Sequence, residues 1–389
     1  MIPATYLFFT NECVGLGHLK RALALASAVT ERDPEASALI VTGSPVEIAH
    51  PVPQRVDTVK LPMVARDSSG LQRAGRLGID LPDVREMRSQ LALAAAESLA
   101  PSVAIVDKTP LGLGDELVPA LEWLHEAGTK LVLGLRDIED RPARVRREWN
   151  RPEVRRTFER LYDAVLVYGP NGTRSDALSC LDWEPALPVH HVGYVAAPAT
   201  DDRPGMKGDY VLVTAGGGAD GARVLATFLD AVRAKPLPLP ALVVTGPLMP
   251  EDDVRDLHAR ARGLDVELKT FHPALESAIG SARAVVAMAG YNTVSELMRT
   301  GRPAVIVPRV RPSGEQALRA ESLRRSGRAE VIHPDDLDPE RMRAALDRVL
   351  ATPAHEPHDG HNGAARAAEL LNGLAQEAAP GPRALLEAS

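Results

Sequence analysis

Aromatic residues are scarce, 4% of a 389-residue chain, and there are only two cysteines, Cys13 and Cys180. Neither cysteine lies in a CxxC or Cys/His ligand spacing, which argues against a disulfide framework and a structural zinc. Free thiols in a reducing cytoplasm are expected. No apolar run approaches the roughly 20 residues that a membrane helix needs. The opening stretch MIPATYLFFT enters a strand pattern without the basic region and long apolar segment of a signal peptide. A basic stripe is missing too. The 45 Lys and Arg are scattered among 52 Asp and Glu, for a net charge of −7, so nothing marks a nucleic-acid surface. The low aromatic content speaks against a large aromatic platform for a ligand. What remains is ordinary globular composition, 45% hydrophobic and 25% charged. The length predicts two domains, each able to bury its own core.

Short apolar runs alternate with helical segments along the whole chain. Strands are expected at Tyr6–Thr10, Ala38–Val41, Val56–Lys60, Val103–Val106, Lys130–Leu135, Ala164–Val167 and His191–Val195. Helices are expected near 18–31, 82–98 and 117–127. Runs such as LVLGL and AVLVYG are apolar throughout, as in strands buried on both faces of a parallel sheet. The basic, mixed run 141–160 reads as a solvated helix. Residues 197–208 (APATDDRPGMKG) are the linker candidate. The pattern then restarts with strands at Tyr210–Thr214, Leu242–Thr245, Val266–Thr270, Ala284–Met288 and Ala304–Val307. Helices come between them, one of them starting near Thr293 and another at Glu315. The expected fold is α/β, with two successive doubly wound parallel sheets. The expected domains are 1–197, joined by a final helix at about 360–380, and 205–352. His355, His358 and His361 sit among Pro357 and Gly360, which favours a solvated loop over a helical metal face.

Four segments at strand ends carry chemistry. Cys13-Val14-Gly15-Leu16-Gly17-His18 follows the first strand, and its glycines permit a tight turn at a helix start, where anions are favoured. The third glycine of GxGxxG is replaced by Arg21, so this is not a dinucleotide fingerprint. His18 is a candidate general base, or simply a cap of the turn. Gly216-Gly217-Gly218 offers backbone N–H groups to a diphosphate, or is only a tight turn. Gly290-Tyr291-Asn292-Thr293 opens a helix at which Asn292 or Thr293 can be both N-cap and phosphate ligand. Glu296 either accepts the two hydroxyls of a ribose or closes a capping box with Asn292 or Thr293. Glu315 and Gln316 suit sugar hydroxyls, or are first-turn helix residues. At the ends of first-half strands sit Asp107, Lys108, Arg136 and Asp137, facing an expected acceptor site, although Arg136 and Asp137 can equally pair with each other.

In this order, the motifs GLGHLKRALALA, LRDI, YDAVLVYG, HVGYVA, VTAGGGADG and AGYNTVSEL…GRPAVIVPR…EQALRAESL resemble the GT-B superfamily. Within it the chain resembles the MurG-like, family 28 glycosyltransferases over nearly its whole length. The resemblance implies two Rossmann-like domains facing a central cleft, with acceptor bound by the first and nucleotide sugar by the second. It implies His18 as catalytic base, with Gly15, Gly17, Asp107, Arg136 and Asp137 on the acceptor side. It implies that Gly216, Gly217, Gly218, Gly290, Asn292 and Thr293 hold the donor diphosphate. Glu296 would bind ribose, Phe271 and His272 the base, and Glu315 and Gln316 the sugar.

The implied activity is a metal-independent, inverting, hexosyltransferase-type reaction. The co-substrate is a nucleoside-diphosphate sugar, UDP or dTDP, the acceptor is a small molecule or lipid-linked, and no cofactor is needed. Two departures stand out. The first loop is not GGxGGH, and Glu315-Gln316 replaces a pair of glutamines. The GxGHxxRxLALA opening also resembles nucleotide-sugar hydrolases of the PseG type, in which water replaces the acceptor, and an epimerase on the same fold is a further alternative.

Overall fold

A computed structural model describes residues 3–10, 17–44, 52–66, 71–169, 176–196, 209–358 and 362–378. The chain divides into two compact units, Met1–Ala197 with Asn362–Ser389, and Pro198–His361.

The first unit is built on β1 (Thr5–Thr10), α1 (Gly17–Arg32), β2 (Ser37–Thr42), β3 (Val56–Lys60), β4 (Val64–Arg66), β5 (Gln72–Ala74) and α2 (Leu81–Leu99). It continues with β6 (Val103–Asp107), α3 (Val118–Glu126), β7 (Lys130–Arg136), α4 (Pro142–Trp149), α5 (Pro152–Leu161), β8 (Ala164–Tyr168), α6 (Asp176–Ser179) and β9 (Val189–His191). Seven strands form one parallel sheet in the order β3-β2-β1-β6-β7-β8-β9. β6 and β8 are buried at every position, which explains why their sequences are apolar runs and not alternations. β4 and β5 make a separate antiparallel pair, which the sequence reading did not anticipate.

The segment 141–160 was expected as a solvated helix. It is two helices, because Pro152 starts a new one, and the apolar stripe Val145, Trp149, Val154, Phe158 and Leu161 is buried. β9 lies earlier than expected, at Val189–His191 and not His191–Val195.

The second unit contains β10 (Val211–Thr214), α7 (Ala222–Ala234), β11 (Ala241–Val244), α8 (Glu251–Ala261), β12 (Val266–Lys269), α9 (Leu275–Ser281), β13 (Ala284–Ala287), α10 (Tyr291–Thr300), β14 (Ala304–Ile306), α11 (Glu315–Arg325), β15 (Ala329–Val331) and α12 (Pro339–Ala351). Its sheet is parallel, in the order β12-β11-β10-β13-β14-β15. α12 starts where Asp338 accepts a hydrogen bond from the Arg341 N–H, just before Pro339. The last helix, α13 (Gly363–Glu377), belongs to the first unit and packs along α1. It can begin beside the Tyr194 carbonyl because Gly363 has no Cβ; one there would lie 2.4 Å from that oxygen.

Both sheets reverse strand order once, between β1 and β6 in the first and between β10 and β13 in the second. In open parallel sheets, ligands bind beyond the carboxyl ends of the strands that flank such a reversal. The residues following β1, β6, β10 and β13 are therefore the candidate ligand-binding positions.

Candidate functional site

In the first unit the reversal brings His18 and Asp107 together. His18 lies in the first turn of α1, just after β1, and Asp107 is the last residue of β6. His18 Nδ1 is 2.6 Å from Asp107 Oδ2. One helical turn on, Arg21 forks onto the same carboxylate, with Nη2 2.5 Å from Oδ2 and Nε 3.2 Å from Oδ1. Arg21 is buried and lies over the Tyr168 ring, 5.4 Å from its centroid. Burial alone would raise the Asp107 carboxyl, but the Arg21 guanidinium and the His18 ring hold it well below the usual carboxylate range.

An ionised carboxylate only accepts, so Nδ1 must carry the proton it donates to Oδ2. Arg21 Nη2, 3.1 Å from Nδ1, is a second donor on the same acceptor. In neutral His18 the lone pair is thus on Nε2, and the side chain remains 15% exposed. Gly17 is the first residue of α1, and Gly15 lies outside the described residues.

Arg136 and Asp137 do not pair with each other. Arg136 donates instead to Glu139, with Nη2 2.8 Å from Oε2, while its backbone N–H donates to Oε1 at 2.7 Å. The i,i+3 partner wins because the chain turns at the end of β7 and lets Glu139 fold back over it. Asp137 is buried and accepts from the Ile138 N–H.

In the second unit, Gly216, Gly217 and Gly218 form the turn after β10. Gly216 has φ +63 and Gly218 φ +93. A Cβ at Gly218 would meet the Thr245 carbonyl at 2.5 Å and that of Gly246 at 2.9 Å, so this turn is moulded against the end of β11. Its internal bonds use the Gly216 N–H, donated to Thr214 Oγ1, and the Gly218 N–H, donated to the Ala215 carbonyl. Gly216→Ala, whose Cβ would meet nothing within 4 Å, is expected to cost about 1–2 kcal/mol for the left-handed backbone alone. Gly218→Ala adds a backbone collision and is expected to cost clearly more. Thermal unfolding of the two variants side by side checks the order.

The turn after β13 differs from expectation. The N-cap of α10 is Gly290, with no side-chain cap, so Asn292 and Thr293 are already inside the first turn and no capping box forms. Glu296 is buried on the second turn, where its Oε2 accepts from Arg299 Nε at 2.8 Å and Nη2 at 2.7 Å. The start of α10 is set by a residue not anticipated as functional. Arg319 of α11 is 2% exposed, donates to the Ala289 carbonyl at 3.0 Å and stacks on Tyr291.

After β14, the Gln316 side-chain oxygen accepts the Arg309 N–H at 3.0 Å. Arg309 reaches Glu315 Oε1 at 3.3 Å and Asp220 Oδ2 at 3.1 Å, which ties the loop after β14 to the loop after β10. Phe271 and His272 follow β12. His272 Nδ1 accepts the Ala274 N–H at 3.2 Å, and burial together with the charge of Lys269 lowers its pKa.

Residues 353–358 are not helical. The His355 and His358 N–H groups donate to the carbonyls of Gly301 and Met298, binding this segment to the end of α10, and His361 lies outside the described residues. Among the described residues no group of three His, Cys, Asp or Glu is placed to hold a metal, and no helix is long and apolar enough to cross a membrane.

Two parallel sheets of this strand order, each with candidate site residues at its reversal, define the GT-B glycosyltransferase architecture. Solved structures agree at the level of the fold. The glycosyltransferase of kitacinnamycin superposes with TM-score 0.65 at 18% identity, covering 96% of this chain and 99% of that one. MurG of Acinetobacter baumannii gives 0.59 at 15% identity, covering 96% and 100%. Residues 210–372 match the glycosyltransferase family 28 C-terminal domain. A UDP-N-acetylglucosamine–N-acetylmuramyl-(pentapeptide) pyrophosphoryl-undecaprenol N-acetylglucosamine transferase of Paenarthrobacter aurescens (strain TC1) is 29% identical over 86% of this chain and 85% of its own length. A transferase of the same name from Chelativorans sp. (strain BNC1) is 34% identical over 35% of this chain and 38% of its own. Residues 210–372 thus carry a glycosyltransferase family 28 C-terminal domain, and over most of its length the chain is similar to the MurG-like glycosyltransferases.

Proposed function

We propose that the chain is an inverting glycosyltransferase in which His18 is the base. The donor would be UDP-N-acetylglucosamine and the acceptor a sugar carried on a pyrophosphoryl lipid, the substrates in the names of its relatives. The observation that carries the base assignment is the 2.6 Å contact between His18 Nδ1 and an ionised Asp107. It leaves Nε2 to take a proton from an acceptor hydroxyl as the oxygen attacks the anomeric carbon. Asp107 would then balance the imidazolium that forms. The bond to the nucleoside diphosphate breaks on the opposite face, and the anomeric configuration inverts.

The departing diphosphate would be stabilised by the amino end of α10 and the Gly216–Gly218 turn, which supply fixed dipoles where charge develops. On this reading no metal is required, and excess chelator leaves the rate unchanged. Glu296, held in one rotamer by Arg299, would accept the ribose hydroxyls. Phe271 and His272 would flank the base, and Glu315 and Gln316 the donor sugar.

The test has two parts. Calorimetry with UDP should show binding that Glu296→Ala weakens about 10- to 100-fold, the loss of hydrogen bonds to a buried charge. Incubation of UDP-N-acetylglucosamine with an N-acetylmuramyl pyrophosphoryl lipid should yield the disaccharide. Fast release of free sugar without acceptor would identify a hydrolase instead, and UDP affinity unchanged in Glu296→Ala would remove the ribose assignment.

A further inference from the structure

Immediately after Asp107 the backbone does something that a lysine disfavours. The Thr109 N–H donates to the Asp107 carbonyl at 3.1 Å, closing a three-residue turn around Lys108, whose φ is +78. This is the rare γ-turn, which glycine adopts without penalty and a side chain does not. The Lys108 N–H still completes the ladder to β7, donating to the Gly134 carbonyl at 2.8 Å. The turn therefore ends β6 abruptly and projects a cationic side chain from the strand that carries Asp107.

That cation is only loosely engaged. Among the described residues the Lys108 ammonium forms one ion pair, at 4.0 Å with Glu139 Oε2, an oxygen that already accepts from Arg136. Lys108 makes no side-chain hydrogen bond among the described residues, and its side chain is one-third exposed. Strain retained in a non-glycine residue beside reacting groups points to function.

We propose that Lys108 is a specificity-determining residue that receives the anionic group of the acceptor, a phosphate or pyrophosphate attached to the sugar whose hydroxyl His18 deprotonates. The proposal rests on the reading of His18 as the base. His18 approaches Asp107 from the β1 side, and the Lys108 ammonium leans toward the end of β7. Base and cation thus stand on opposite flanks of β6, a separation of one to two strand spacings, ~5–10 Å. A sugar ring with a reacting hydroxyl at one end and a phosphate at the other spans a comparable length.

The experiment compares two acceptors in transfer from UDP-N-acetylglucosamine. One is an N-acetylmuramyl pyrophosphoryl short-chain prenol, and the other is a neutral alkyl N-acetylmuramide glycoside. In Lys108→Gln, KM for the pyrophosphoryl acceptor should rise about 10- to 100-fold, with kcat, donor KM and the neutral acceptor little changed. Lys108→Arg should stay within a few-fold of the parent. Lys108→Gly should unfold at a higher temperature, because the turn is relieved, yet show the same acceptor defect as Lys108→Gln. A merely structural role would instead move stability and leave KM alone. Transfer with an unaltered acceptor KM in Lys108→Gln overturns the Lys108 assignment and leaves the transferase reading standing. No transfer by the parent enzyme to either acceptor overturns both.

Discussion

His18→Ala is expected to lower kcat by about 10²–10⁴, the usual contribution of a positioned general base, with the fold and UDP binding intact. Asp107→Asn should fall in the same range, for a different reason. An amide at 107 can donate to Nδ1, which favours the tautomer with its proton on Nε2 and leaves no lone pair facing the acceptor. It also leaves the Arg21 guanidinium buried beside a neutral group. Steady-state kinetics with saturating donor, supported by circular dichroism of each variant, checks both. A His18→Ala enzyme within threefold of the parent would remove the base assignment.

The same triad makes a pH prediction. The Asp107 carboxyl is held below its unfolded value, so its ion pairs contribute stability that is fully present above about pH 4 and is lost as pH falls from there toward the depressed value. Asp107→Asn should flatten that acidic limb in unfolding measurements.

Some of this site was legible in the residue order and some was not. His18 was singled out by its place directly after a glycine turn, between a strand and a helix, where a cap of the turn was the competing reading, and by the likeness of the surrounding motif to family 28. The turns at Gly216–Gly218 and Gly290 were legible because glycine at a strand end marks a close approach of backbone, and the 2.5 Å collision at Gly218 supplies the reason. The basic residues that organise the site were not. Arg21, Arg309 and Arg319 each bind a partner many residues away, at Asp107, Asp220 and Ala289, and no local pattern tells a buried arginine from a solvated one in a chain this rich in arginine. Glu139 was missed for the opposite reason. Asp137, its nearer neighbour, was the obvious partner for Arg136, and only the turn after β7 decides between them. The start of α10 was misplaced because Asn292 and Thr293 are good caps by residue type, whereas tertiary contacts of Tyr291 and Arg319 fix the helix two residues earlier.

Glu116→Gln is expected to destabilise the protein by about 3–5 kcal/mol, because it breaks a buried ion pair and strands one charge. Arg88 of α2 is fully buried and forks onto Glu116, with Nε and Nη2 each 2.7 Å from a different oxygen. Its remaining arm, Nη1, donates to the Pro62 carbonyl at 2.6 Å. For a unit of this size such a loss lowers the melting temperature by roughly 6–20 °C. Replacing both partners by apolar residues, Arg88→Met with Glu116→Leu, should recover most of it, since neither desolvated charge then remains. The pair bears on the turn at Lys108 because Glu116 holds the far end of the segment that leaves β6. The near end is held by Asp107 through Arg21, so the strained turn at Lys108 is anchored on both sides. Thermal unfolding and acceptor kinetics of the double variant separate two roles. Restored stability with restored acceptor KM makes the clamp a matter of folding alone, whereas restored stability with a raised KM shows that it also positions Lys108.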